Sequence, residues 1–194
     1  MSQYQAETLL IPDPMQARME GTTWHESLPS PRLHELRLLL IPYLDFGNKE
    51  QIGQLITAED LAEQVHKIFA ELLANEFPID SMRPMVDFDG DDGRSMAANN
   101  TSCFNSRRII NTERISVHSY GAAIDVNPIQ NPIIRDGKHR PEAGGEYLDR
   151  TRLRPGMIVP GCKALQIFED AGWAWGGNWD HPKDYHHFYL SDYA

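Results

Sequence analysis

The chain has 194 residues, a formal net charge of -10, 41% hydrophobic and 24% charged residues. That is enough chain, of ordinary soluble composition, for one domain with a real core. The acidic balance argues against gripping nucleic acid or adsorbing to an anionic surface except through a local patch.

Residues 1–23 are polar and irregular, interrupted by Pro12 and Pro14. They form an N-terminal arm, either loose or wrapped on the domain that occupies residues 24–194. Ser30 as cap and Pro31 in the first turn predict a helix through RLHELRLLLIPYL, ended or kinked at Pro42. Thr57 and Asp60 approximate a capping box, after which Leu61, Val65, Ile68, Phe69, Leu72 and Leu73 recur at helical spacing. His66, beside that stripe, reads as a surface or packing residue.

IDSMRPMVDF reads as a short strand and turn, and DGDDGRSMAANNTS as a polar loop. Its acids Asp87, Asp89, Asp91 and Asp92 lack the closing glutamate of a helix-loop-helix calcium site, so a solvated loop is expected. AAIDVNPI alternates as a strand does. Residues 131–155 form a long excursion rich in charge, glycine and proline. A helix from about Cys162 to Ala171 precedes Gly172, and the aromatic tail ends in a strand-like run.

No apolar run is long enough to span a bilayer. The start MSQYQAETLLIPDPMQ lacks the basic end and apolar core of a secretory signal. The chain is therefore expected to be made and kept in the cytoplasm unless something releases it. Cys103 and Cys162 do not form a CxxC pair, which argues against a cysteine zinc site. A disulfide between them and two free thiols both remain open.

The chemistry gathers in two segments. In SVHSYGAAID, Gly121 lets the chain reverse, and Ala122 and Ala123 keep the turn uncrowded, so that His118 and Asp125 can meet at one point. An imidazole and a carboxylate suit Zn²⁺. DYHHF adds an acid, Asp184, three residues before His187. Their spacing lets one face a metal and the other a bound water. In an extended segment His186 would point away from His187, so only one of the two histidines should ligate.

SVHSYGAAIDVNP resembles the SxHxxGxAxD signature of the zinc D-alanyl-D-alanine carboxypeptidase and L-alanyl-D-glutamate endopeptidase family. That family includes VanY-like enzymes and phage endolysin peptidases. The tail GWAWGGNWDHPKDYHHF resembles the family's closing signature, in which an acid precedes a His-Phe pair. FPIDSMRPM and DDGRSMAANNTSCFNSR are similar to its upstream region, so the likeness runs from about Trp24 to Tyr189.

The resemblance implies a hedgehog-type α+β fold, with a small antiparallel sheet carrying the zinc site between flanking helices. It implies one Zn²⁺ held by His118, Asp125 and His187, with Asp184 as the catalytic acid/base. It also implies a substrate-binding or oxyanion-stabilising arginine, Arg107 by the alignment of FNSR, with Arg108 adjacent. The family often has FNCR and a glutamate where this chain has Ser106 and Asp184. Ser116 and Tyr120 either orient the site or stabilise the turn. Trp173, Trp175 and Trp179 either line a substrate groove or belong to the core, with core favoured. His139 and His181 read as surface histidines.

The activity implied is metal-assisted hydrolysis of a peptidoglycan stem peptide by a monomer. The bond cut is either D-Ala-D-Ala or L-Ala-D-Glu. No nucleic acid and no membrane insertion enter. A metal-bound but non-catalytic hedgehog-like binding module is the competing expectation.

Overall fold

A computed structural model describes residues 5–110 and 112–194, so residues 1–4 of the arm lie outside the described chain. Strand β1 (Glu7–Leu10), helix α1 (Asp13–Met19) and strands β2 (Leu36–Leu44) and β3 (Glu50–Ala58) come first. The three strands form an antiparallel sheet in the order β1-β2-β3. Residues 7–10 therefore pair with the domain, Glu7 opposite Leu40 and Leu10 opposite Arg37. Met19 is fully buried in the cluster that includes Ile11 and Leu36.

The helix predicted through RLHELRLLLIPYL is not formed. Leu33–Glu35 makes one 3-10 turn, and Leu36–Leu44 is strand β2. Both faces of β2 are buried. Leu36 and Leu38 face one cluster with Ile56, while Leu39, Ile41 and Tyr43 face the main core with Leu55. A strand buried on both sides reads as an unbroken apolar run, which periodicity alone does not distinguish from a buried helix. Pro42 is tolerated because it lies beyond Arg37–Leu40, the stretch that β1 covers.

Helix α2 (Ala62–Ala74) buries Val65, Ile68, Phe69 and Leu72, as its spacing predicts. Its start differs from the expected one. Thr57 belongs to β3, and its hydroxyl donates to the Gly121 carbonyl at 2.7 Å instead of capping the helix.

Strand β4 (Ser81–Met82) pairs in parallel with β5 (Asn100–Thr101). Between them lies a short helix, α3 (Asp92–Ala97), inside the stretch expected to be a loop. Asp91 caps it by accepting from the Arg94 N–H at 3.1 Å. The neighbouring acids are paired with arginines: Asp87 with Arg18 and Arg83, Asp89 with Arg94, and Asp92 with Arg107. Such pairing accounts for their density without calcium.

Strand β6 (Ala123–Asp125) is followed by the hairpin β7 (Ile133–Arg135) and β8 (Lys138–Arg140), inside the predicted excursion. Helix α4 (Lys163–Asp170) then leads to β9 (Ala174–Trp175), β10 (Lys183–Asp184) and β11 (His187–Tyr189). Two further antiparallel sheets result, β6-β11-β9 and β10-β7-β8. The fold is thus mixed α and β, built from small sheets and a few helices.

The main core lies between the β2-β3 sheet, α2, α4 and the β6-β11-β9 sheet. Phe188 of β11 stacks on Phe168 of α4 with ring centroids 3.8 Å apart, and Trp173 and Trp175 are buried with them. Each fully buried side chain of this size contributes about 1.5–3 kcal/mol. That packing fixes β11, whose opposite face carries the histidine of interest. Among the described residues no helix is long and apolar enough to cross a membrane.

Candidate metal centre

Strand alternation builds the site. On β6 and β11 the register pairs Ile124 with Phe188, both in the core, and Asp125 with His187. Cross-strand partners share a face, so Asp125 and His187 meet on the side away from the core. His118 arrives on a 3-10 turn, Val117–Tyr120, that ends at Gly121 in the left-handed conformation (φ 66°). A side chain at Gly121 would also approach the Ala58 backbone nitrogen to 2.6 Å. The turn that delivers His118 therefore requires glycine, as the sequence indicates.

Asp125 Oδ1 lies 3.2 Å from His118 Nε2 and 2.9 Å from His187 Nδ1, and the two nitrogens are 3.2 Å apart. Four-coordinate zinc with bonds of about 2.0–2.1 Å would separate neighbouring donors by about 3.3 Å. The three atoms thus lie close to one face of such a tetrahedron. His118 Nδ1 donates to the Cys103 carbonyl at 2.6 Å, which leaves the Nε2 lone pair turned toward the other two donors. Two nitrogens and one carboxylate oxygen fit zinc, and these three residues could hold it.

The local charges are mutually dependent. Burial alone would raise the Asp125 pKa, but the facing His118 and His186, with hydrogen bonds from His118 and His187, hold it well below the usual carboxylate range. Burial alone would lower His118, and the Asp125 charge more than offsets it, so the pKa rises. The Arg107 charge opposes that rise.

Asp184 sits in β10 opposite Ile133 of β7 and is buried. It reaches the cluster through His186, whose Nε2 is 3.0 Å from Asp184 Oδ1 and 3.9 Å from Asp125 Oδ2. The shorter contact is an ion-pair distance off the line of a good hydrogen bond, so Oδ1 has no hydrogen-bonding partner among the described residues. His186 does not point away from the site, as an extended segment would require. Tyr185 and His186 form a bend between β10 and β11, where strand alternation does not apply, and the ring turns inward. Burial lowers its pKa, but Asp184 and Asp125 outweigh that and raise it. His187 alone of the pair joins the three-donor cluster.

Of the two adjacent arginines, Arg107 is the one whose charge acts on His118. Its Nε lies 2.7 Å from Asp92 Oδ2, again off the line of a hydrogen bond. Arg108 turns outward to Glu113. The Arg107 backbone is clamped by Ser119, whose hydroxyl accepts from its N–H at 2.9 Å and donates to its carbonyl at 3.0 Å. Ser119 lies inside the His118 motif, where its residue type alone does not mark it as a clamp on a segment 12 residues upstream.

Ser116 gives its backbone N–H to the Arg107 carbonyl, and the Tyr120 ring packs on Tyr193. Neither makes a polar contact to the three donors among the described residues. Trp179 does border them, with its ring centroid 5.4 Å from that of His187 and its indole N–H donating to the Tyr189 hydroxyl at 2.9 Å. Gly176, from the same Gly-Trp-rich stretch, passes so close that a Cβ there would approach the Asp184 carbonyl to 2.8 Å.

Both cysteines are free thiols. Cys103, just behind His118, is fully buried, and burial pushes its pKa up to about 12. Cys162 is half-buried at the start of α4. With iodoacetamide at about pH 8, Cys162 is expected to label while Cys103 stays a protonated, shielded thiol until denaturant is added. Peptide mass mapping reads this, and equal labelling of both in the folded protein would contradict it.

Residues 110–190 match a family model described as D-alanyl-D-alanine carboxypeptidase. This stretch carries His118, Asp125, Asp184 and His187. No curated protein and no solved structure matches.

Proposed function

We propose that this chain is a zinc-dependent peptidase of peptidoglycan stem peptides, with His118, Asp125 and His187 holding one zinc ion and Asp184 as the acid/base. The observation that carries the reading is the convergence of those three donors at near-tetrahedral spacing, within a stretch similar to D-alanyl-D-alanine carboxypeptidases. A zinc ion, when bound, activates water and polarises a carbonyl.

The chain's own residues supply the rest. Asp184 takes a proton from the attacking water and returns it to the leaving amine. Arg107 has two terminal nitrogens that make no hydrogen bond to the protein among the described residues. They serve a substrate carboxylate or the developing oxyanion. Trp179 and Tyr189 wall the site beside His187 and help to seat the peptide. Against a non-catalytic metal-bound module stands Asp184 itself, a buried carboxylate that such a module has no use for.

Cleavage of D-Ala-D-Ala is favoured over L-Ala-D-Glu because the matching family is described by the former activity. The protein acts as a monomer on cell-wall peptide. The test is to incubate zinc-loaded protein with purified peptidoglycan and identify the products by mass spectrometry. Free D-alanine is the expected product. New L-alanine C-termini would move the reading to the endopeptidase, and intact peptidoglycan would overturn it.

A further inference from the structure

We propose that His186 is a positioning residue for Asp184: it engages Oδ1, so that the other oxygen, Oδ2, is the one presented to the reacting water. The inference rests on the reading of Asp184 as the acid/base. His186 is 3% exposed, and both ring nitrogens are committed. Nδ1 donates to the Asn131 carbonyl at 2.8 Å, and Nε2 faces Asp184 Oδ1 at 3.0 Å.

The anchor behind the ring is itself fixed. Asn131 is fully buried. Its Oδ1 accepts from the Ile158 N–H at 2.7 Å and from Arg150 Nη2 at 3.0 Å, and its Nδ2 donates to the Gly156 carbonyl at 2.9 Å. Rotating the imidazole would break the bond to Asn131, so Nε2 is a fixed point between the two carboxylates. Its 3.0 Å and 3.9 Å contacts keep Asp184 Oδ1 within about 7 Å of Asp125 Oδ2.

An apolar side chain at this position would take away the one polar side chain 3.0 Å from a buried carboxylate oxygen that has no hydrogen-bonding partner among the described residues. Simple space-filling therefore does not account for a histidine here. The ring holds the carboxylate as outer hydrogen bonds hold catalytic groups in other metal sites.

Two amides separate the roles of the two nitrogens. In His186→Asn the amide nitrogen reaches only the position of Nδ1, and in His186→Gln it reaches that of Nε2. Both variants are expected to keep one zinc per chain. His186→Asn should lose about 10- to 100-fold in kcat, with KM changed less than about twofold. His186→Gln should recover most of that loss. In metal-free protein, the urea midpoint shifts of His186→Asn and Asp184→Asn should be less than additive in the double variant.

Loss of zinc from both variants would make His186 a ligand and overturn the proposal. Equal activity of Asn and Gln variants, or additive midpoint shifts, would overturn it as well. If the wild-type protein cleaves no peptidoglycan, the peptidase reading fails separately. The metal-free urea cycle still decides whether His186 and Asp184 are coupled.

Discussion

Asp184→Asn is expected to retain one zinc per chain and to lose about 10²- to 10⁴-fold in kcat, the usual contribution of a positioned acid/base. The substitution is isosteric, and Asp184 lies outside the three-donor cluster, so the chain should still fold and retain metal. An asparagine cannot take a proton from water at any working pH, which is why the loss should fall on kcat and leave KM nearly unchanged. Zinc content is read by atomic emission and turnover by release of D-alanine. Activity within a few-fold of wild type would place the acid/base elsewhere, and loss of zinc would make Asp184 a ligand.

His187→Ala should have the other large effect: no stoichiometric zinc and activity at background. It removes one of three donors, so the loss in affinity should exceed the roughly 10- to 100-fold that follows removal of a residue behind a ligand. The side chain is partly exposed on the face of β11 opposite the core, so truncation opens no core cavity, and Phe188 continues to pack on Phe168. Trp179 supplies a reporter, its ring centroid 5.4 Å from that of His187. Zinc titration should change its fluorescence in the wild type and leave it flat in the variant. Full zinc and turnover in His187→Ala, with both lost in His186→Ala, would transfer the ligand role to His186.

The site was more legible in the sequence than the fold around it. SVHSYGAAID and DYHHF contain every donor of the cluster, because each motif spans only a turn or a strand end whose local geometry residue types dictate. The β2 strand is not legible locally because its environment is set by partners far along the chain. Nothing local in RLHELRLLLIPYL records that both faces are covered. Thr57 failed as a cap for a similar reason, since its hydroxyl is claimed by Gly121, 64 residues away. Strand alternation sends His186 outward, but the bend at Tyr185 breaks the alternation, and its anchor Asn131 lies 55 residues upstream. Asp89 and Asp91 are exposed, as a solvated loop predicts, and what the local sequence does not record is that Asp89 and Asp92 pair with arginines while Asp91 caps α3.

Asp125 and His187 are 62 residues apart along the chain and lie side by side in the sheet. A metal ion bound to both would act as a cross-link that closes the intervening loop, with the β7-β8 hairpin and α4 inside it. Closing a loop of that length restricts the unfolded chain by an amount worth about 4 kcal/mol on the chain-entropy account used for disulfides. The ion would then be a clasp as well as a chemical centre. The long excursion between the two motifs could swell or fray only as far as its tethered ends allow.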